Sequence, residues 1–261
     1  MVVDDFVMLG KTVPEEQVRD GRVFVCTAGY SFELQQAMRI YPMAWRGCPT
    51  RWSISRIPLE RNPEDNRRES WKIKGDRSPA MHPRINELIE PRRLKDSHFR
   101  SPAPLSASRA QQRDILQAMK VPSLRYANDA RLSLCVLFPI TVPKLWFEKS
   151  TEAPMAPTMD MFDFERRDQR AAIRFEYHPR LQFSDDERDH DLMLRDWGCY
   201  EFMRKNPHRD RCELEEALNL SSAPPLLCGN FNRYRNSWLV ISVFSGTIHA
   251  RAEVADQMAL L

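Results

Sequence analysis

The chain has 261 residues, of which 42% are hydrophobic and 29% charged, and its formal net charge is +3. These proportions are typical of a folded globular protein with one large domain or two small ones. The longest apolar runs, residues 132–140 and 238–244, have the length of a strand and predict no membrane-spanning helix.

The N-terminal residues and the cysteines predict a cytoplasmic protein. The chain begins without the basic and apolar regions of a secretory signal. Its six cysteines are scattered, with no C-x-x-C pair. This spacing argues against a zinc ribbon or a disulfide framework and favours buried thiols in a reducing compartment.

The first quarter of the chain predicts strands. Short β-branched or aromatic runs cover residues 5–9, 22–28, 51–59 and 70–74. Between them, Ser31 predicts the N-cap of a short helix. The polar stretch that begins at residue 61 predicts a surface loop.

The middle of the chain predicts two helices, over residues 78–90 and 105–120, and then a strand pair over residues 132–138 and 141–147. Prolines beside these strands confine them to sheet edges, ends or bulges. The following stretch, residues 150–168, is rich in Met and Pro and predicts a linker or a long loop.

The last third of the chain predicts a helix pair and a hairpin. Ser184 and Glu187 have the spacing of a capping box and predict a helix over residues 185–205. A second helix is expected at about residues 209–220, and residues 226–244 are expected to form a β-hairpin with a polar turn at residues 232–236.

Because strands and helices occur in blocks, the predicted class is α+β, with antiparallel or mixed sheets and several flanking helices. The predicted division is a basic, strand-rich part (1–149), the linker (150–168) and a C-terminal helix pair with a β-hairpin (169–261). One continuous domain is the alternative.

Charge is unevenly distributed along the chain. Residues 51–113 hold 15 Lys and Arg against 8 Asp and Glu, whereas residues 151–216 hold 11 against 17. A basic segment of this kind indicates a polyanion site, or a surface that packs against the acidic half.

Three basic segments carry aromatic side chains beside arginine or lysine, a combination that contacts phosphates and stacks on bases. They predict a nucleic-acid-binding protein, with DNA and RNA both open, in a bacterial nucleic-acid processing or phage-defence system. An edge strand and an ordinary polar turn explain the same residues. The predicted contacts are Arg51, Trp52, Arg67, Arg68, Trp71, Lys72, Lys74, Arg233, Tyr234 and Arg235.

The predicted helix over residues 185–205 carries an alternative, enzymatic function. His190, Asp196 and Glu201 are the candidate acid–base or metal-binding groups of a nuclease-like or other hydrolase. An amphipathic capped helix explains them equally. The chain lacks the glycine-rich phosphate-binding motifs, and no cofactor is evident from the sequence, which leaves a divalent metal open. A third alternative is a protein–protein adaptor.

Four short motifs resemble an uncharacterised family of bacterial proteins. They are Arg-Ile-Tyr-Pro at 39–42, Arg-Arg-Glu-Ser-Trp at 67–71, His190 followed by Asp196-Trp197, and Gly229-Asn230 followed by Ser237-Trp238. The resemblance spans most of the chain and implies no known activity. Similar proteins carry cysteines ahead of the histidine, as in a metal knuckle. This chain has Phe-Ser-Asp-Asp at 183–186 instead.

Overall fold

The structure, a computed structural model, describes residues 1–16, 23–44, 47–75, 82–93, 105–150, 175–206 and 211–245. Within these ranges thirteen strands form three sheets, with four α-helices and short 3₁₀ helices between them. The predicted mixture of strands and helices is therefore confirmed. Strands predominate, however, and the several flanking helices that the sequence predicted are not borne out.

The first sheet contains seven strands, β1 to β7, and five of them close into a barrel. The strands β1, β3, β4, β6 and β5 pair in that order, and β5 also pairs with β1. All these pairs are antiparallel except β4–β6, which is parallel. The bounds are Val2–Lys11, Glu15–Glu16, Val23–Ser31, Gln36–Ala44, Ile54–Arg61, Ser70–Ile73 and Glu90–Pro91.

Numbered along the chain, the five barrel strands follow the circular order 1-2-3-5-4, with the third and fifth parallel. This is the arrangement of the OB fold, a five-stranded Greek-key barrel. In β5 every second side chain is buried and points into the barrel, because successive side chains of a strand point to opposite faces of the sheet. A 3₁₀ helix, His82–Leu88, packs against the barrel interior through Ile85.

The second sheet lies against the outside of the barrel. Its order is β13-β12-β8, with bounds Trp238–Val243, Leu226–Asn230 and Leu134–Leu137, and every residue in it is buried. One face contacts Val7 and Tyr30 on the outer surface of β1 and β3. Because both faces are covered, its strands are continuous apolar runs and do not alternate.

A third layer covers the other face of this central sheet. It contains the sheet β11-β10-β9, with bounds Asp189–Met193, Tyr177–Ser184 and Lys144–Lys149. The four α-helices, α1 to α4, are short, with six to ten residues each, and have the bounds Arg109–Ala118, Leu124–Asp129, Trp197–Lys205 and Arg211–Ala217.

Three predictions about local structure are wrong. Residues 132–138 and 141–147 overlap β8 and β9, but these strands belong to different sheets and do not pair with each other. Residues 32–35 form a turn in which the Ser31 hydroxyl accepts a hydrogen bond from Leu34 N, so Ser31 caps a turn and not a helix.

The third wrong prediction is the helix that was expected to start at residue 185. Asp185 accepts hydrogen bonds from the backbone N–H groups of Glu187 and Arg188, and this closes a tight turn between β10 and β11. The helix starts only at Trp197. Most of the predicted linker, residues 151–168, lies outside the described residues, as do residues 78–81 of the helix predicted over residues 78–90.

Candidate nucleic-acid interface

The loop between β5 and β6, residues 62–69, is organised by the carboxylate of Asp65. It accepts hydrogen bonds from Arg67 N at 3.1 Å, Arg67 Nε at 2.8 Å and the Ser70 hydroxyl at 2.7 Å. Burial by itself would raise the pKa of Asp65. The hydrogen bonds from Arg67 and Ser70, with the charge of Arg67, lower it below its ordinary value. The loop therefore has a fixed conformation held by a buried ion pair.

The tip of the β12–β13 hairpin, residues 231–237, is held by hydrogen bonds to its backbone. Ser237 N donates to Tyr234 O at 2.9 Å and Phe231 N donates to Ser237 O at 3.2 Å. Inside the tip, the buried Asn230 side chain donates to Arg235 O at 2.9 Å. These bonds satisfy backbone carbonyls that a polar turn leaves unpaired.

Hydrogen bonds join this loop to this hairpin tip although they are far apart in the sequence. Arg67 Nη1 donates to Asn230 O at 2.6 Å, across 163 residues. Asn232 Nδ2 donates to Glu64 O at 3.1 Å, and Arg235 Nη2 donates to Asn66 Oδ1 at 2.5 Å. Two of the three predicted nucleic-acid-binding segments therefore form one surface. We call residues 61–68 and 231–236 the loop–hairpin surface.

The loop–hairpin surface exposes arginines and aromatic rings together. Arg61, Arg68 and Arg233 are exposed, and the Phe231 and Tyr234 side chains are 44% and 69% exposed. The guanidinium carbon of Arg61 lies 3.9 Å from the centre of the Trp71 ring, so this arginine is already stacked on an aromatic face. The arrangement can contact an anionic backbone and planar groups at once.

Beneath this surface lies a buried polar layer that the sequence reasoning missed. Arg39 donates to Ser133 O at 2.7 Å, and the Glu69 carboxylate accepts from Ser133 N and the Ser133 hydroxyl. Burial lowers the pKa of Arg39, and the charge of Arg67 also contributes in that direction. Arg39 lies between the apolar residues Met38 and Ile40 in β4. This apolar setting is the feature of the sequence that indicates its burial.

Not all predicted phosphate and base contacts belong to the loop–hairpin surface. Arg67 is almost fully buried in its pair with Asp65, and Trp71 faces the barrel interior. Lys72 pairs with Glu60 at 3.1 Å, and Lys74 is exposed near the other end of β6. The exposed cations of the surface are therefore Arg61, Arg68, Arg233 and Arg235.

Arg51 and Trp52 lie at the opposite end of β13 from the hairpin tip. Arg51 Nη1 donates to Val243 O at 2.9 Å, and Arg51 Nη2 pairs with Asp196 at 3.1 Å. Trp52 packs on Phe244 with ring centres 5.2 Å apart. The structure thus pairs a predicted phosphate contact with a predicted catalytic acid inside the protein.

Asp196 is the N-cap of α3. Its Oδ1 accepts from Gly198 N at 2.8 Å, and its Oδ2 accepts from the Ser242 hydroxyl and Val243 N. With Arg51 it connects three parts of the molecule, the barrel, the central sheet and α3. We call Arg51, Asp196, Ser242 and Val243 the Arg51–Asp196 brace. Arg51 also contacts the Ser242 hydroxyl.

The other two residues of the predicted acid–base group have partners of their own. His190 lies on β11, and its Nε2 is 2.7 Å from Asp185 Oδ2 in a buried pair. Glu201 forms ion pairs with Arg204 and Lys205 on its own helix. Burial would raise the pKa of Asp185, but hydrogen bonds from three backbone N–H groups and His190 lower it. His190, Asp196 and Glu201 are thus each bonded to a different group.

Within the described ranges, no group of three or more His, Cys, Asp or Glu side chains is arranged to hold a metal ion. The helices in those ranges include none that is long and apolar enough to cross a membrane.

Part of the chain matches a known family model. Residues 4–96 match the family model described as "Domain of unknown function (DUF8758)". The matched segment runs from β1 past β7 and so contains the five-stranded barrel together with loop 62–69. No curated protein matches the chain.

Proposed function

We propose that this protein binds nucleic acid through the loop–hairpin surface. The observation that carries the proposal is the joining of two basic segments, 163 residues apart in the sequence, by hydrogen bonds between Arg67 and Asn230, Asn232 and Glu64, and Arg235 and Asn66. A surface of this kind presents several arginines at fixed positions, and phosphate contacts supply most of the affinity of nucleic-acid-binding proteins.

The barrel topology gives the proposal additional support. In OB-fold barrels the loop between the fourth and fifth strands contributes to oligonucleotide binding, and loop 62–69 occupies that position here. By analogy between folds, loop 62–69 is therefore the expected contact for an oligonucleotide here. The outer face of the second and third barrel strands, which such barrels also use, contacts the central sheet in this protein. The loop side is therefore the accessible side.

Fluorescence anisotropy with labelled DNA and RNA at several salt concentrations tests the proposal. We expect binding that weakens as salt increases, since bound phosphates release counterions. Arg68→Gln and Arg233→Gln should each lower the affinity and reduce the salt slope by about one. The matched control is Arg84→Gln, which neutralises an exposed arginine of the 3₁₀ helix, and this helix lies beside the C-terminal ends of β4 and β6.

Absence of binding at low salt, or equal losses in Arg84→Gln and Arg233→Gln, would contradict the proposal. The same strands should be analysed on a denaturing gel after incubation with Mg²⁺, Mn²⁺ or EDTA. Metal-dependent cleavage would favour the enzymatic alternative, and intact strands would favour a binding protein.

A further inference from the structure

The two aromatic rings of the hairpin tip stand out among the exposed apolar side chains. Phe231 and Tyr234 lie three residues apart on the same turn, on either side of Arg233. Leaving a large apolar side chain in water forgoes the stabilisation that burial gives it, and Asn or Gly would close a polar turn equally well. The rings therefore indicate a ligand with flat, partly apolar groups.

The backbone that carries the rings is held before any ligand binds. Asn230 and Ser237 fix the tip from inside, and Asn232 and Arg235 tie it to loop 62–69. A preformed surface loses less conformational entropy when it binds than a flexible one does. The spacing between the rings and the neighbouring arginines is thus a property of the free protein.

The same bonds decide between single-stranded and double-stranded ligands. A free β-ribbon can enter the major groove of a duplex, but this hairpin tip has loop 62–69 against it through Asn232 and Arg235. In a duplex the faces of the bases are covered by their neighbours. Unpaired bases expose their faces, which stack on aromatic side chains.

We propose that the loop–hairpin surface selects single-stranded over double-stranded nucleic acid, with unpaired bases stacked on Phe231 and Tyr234 and phosphates contacting Arg68 and Arg233. This inference rests on the proposed nucleic-acid function. Stacking does not depend on base identity, so the surface recognises strandedness and not sequence.

The experiment compares oligothymidine, oligouridine and a mixed-sequence duplex, each of about 15 nucleotides or base pairs, the upper range of a single binding module. Anisotropy should give an affinity for the single strands about tenfold or more above that for the duplex. Tyr234→Ala should lower single-strand affinity by about tenfold, whereas Tyr234→Phe, which keeps the ring, should stay within about twofold of the wild type.

The outcomes separate the two proposals. Equal or tighter duplex binding, or an unchanged single-strand affinity in Tyr234→Ala, overturns strand selection and leaves nucleic-acid binding in place. Binding to none of the three probes at low salt overturns both. Thermal melting of each variant checks that the folded state is intact, as expected for substitutions of an exposed side chain.

Discussion

Two arginine clusters at opposite ends of strand β13 show how position in the fold changes the role of a side chain. At one end, the side chains of Arg51 and Asp196 are 8% and 3% exposed and form an ion pair. Both side chains also form hydrogen bonds with the backbone of Val243. At the other end, Arg233 and Tyr234 project into solvent from a turn. The first cluster holds three layers together, and the second leaves its charge available to a ligand.

Arginine beside an aromatic ring is therefore an ambiguous signal in a sequence. Arg51 is followed by Trp52, and Arg233 by Tyr234, so the two pairs look alike. In the first pair Trp52 packs on Phe244 and Arg51 lies over the same ring. The neighbours that decide between these roles are distant in the sequence.

Removing one partner of the Arg51–Asp196 brace should have the largest effect. Asp196→Ala leaves the Arg51 guanidinium buried without its counter-charge and deletes the cap of α3, so we expect a loss of about 3–5 kcal/mol in the free energy of unfolding. Guanidinium denaturation measures it. The control is Asp114→Ala, which removes an exposed acid from α1. Similar losses of stability in both variants would contradict this prediction, because Asp196 would then contribute no more to the free energy of unfolding than an exposed acid does.

The buried side chain of Tyr200 predicts that the folded protein loses stability at alkaline pH. Burial raises the pKa of Tyr200, on α3, to about 12, and its hydroxyl lies 3.1 Å from His178 Nδ1. The folded-state pKa of Tyr200 exceeds its ordinary value of about 10. The contribution of Tyr200 to the free energy of unfolding is therefore present below pH 10 and is lost as pH rises towards 12. The difference corresponds to roughly 3 kcal/mol.

Denaturation midpoints measured from pH 9 to 12 test this expectation. The wild type should lose stability more steeply with pH than Tyr200→Phe. Tyr234→Phe removes an exposed phenol and should retain the wild-type slope. A Tyr200→Phe protein with an unchanged slope would contradict the assignment.

We expect a substitution at Asp65, in loop 62–69, to have an effect of intermediate size on stability. Asp65→Asn removes the charge that holds Arg67 and should cost about 1–3 kcal/mol, measured by urea denaturation. Because the folded-state pKa of Asp65 is lowered, its contribution is present above about pH 4 and is lost as pH falls below that value. Glu64→Gln, on the exposed side of the same loop, is the control and should change little. An equal loss in both variants would refute the role of Asp65.

The smallest effect on stability should come from the hairpin tip. Arg233→Gln and Tyr234→Ala should change the free energy of unfolding by less than about 0.5 kcal/mol, although both should weaken nucleic-acid binding. Thermal melting and anisotropy on the same samples separate the two effects. A large loss of stability in either variant would mean that the tip is structural, and the contrast between the two ends of β13 would disappear.

Part of this architecture could be predicted from the sequence. The β12–β13 hairpin was predicted because its two runs are apolar and its turn is strongly polar. Strands overlapping β1, β3, β5 and β6 were predicted from short β-branched or aromatic runs, whereas β4 was not among the predicted strands. Closure of the barrel depends on β1 pairing with both β3 and β5, and no local pattern specifies which strands pair across long intervals.

The misassigned helix has a specific cause. Residues 189–194 read Asp-His-Asp-Leu-Met-Leu, where His190 and Leu194 fit a helical spacing as well as an alternating one. The alternation decides because Asp185 closes a turn four residues before the strand. Among the site residues, Arg233 and Tyr234 were predicted, but the bonds of Asn66 and Asn232 that position them require the folded chain.

The central sheet has a consequence for the modularity of the chain. The segment that matches the family model ends at residue 96, before any strand of that sheet begins. A fragment cut there would expose Val7, Leu9 and Tyr30, which the central sheet covers in the intact protein. Any chain that carries this barrel without the second half must cover the same face with another domain or with a partner subunit.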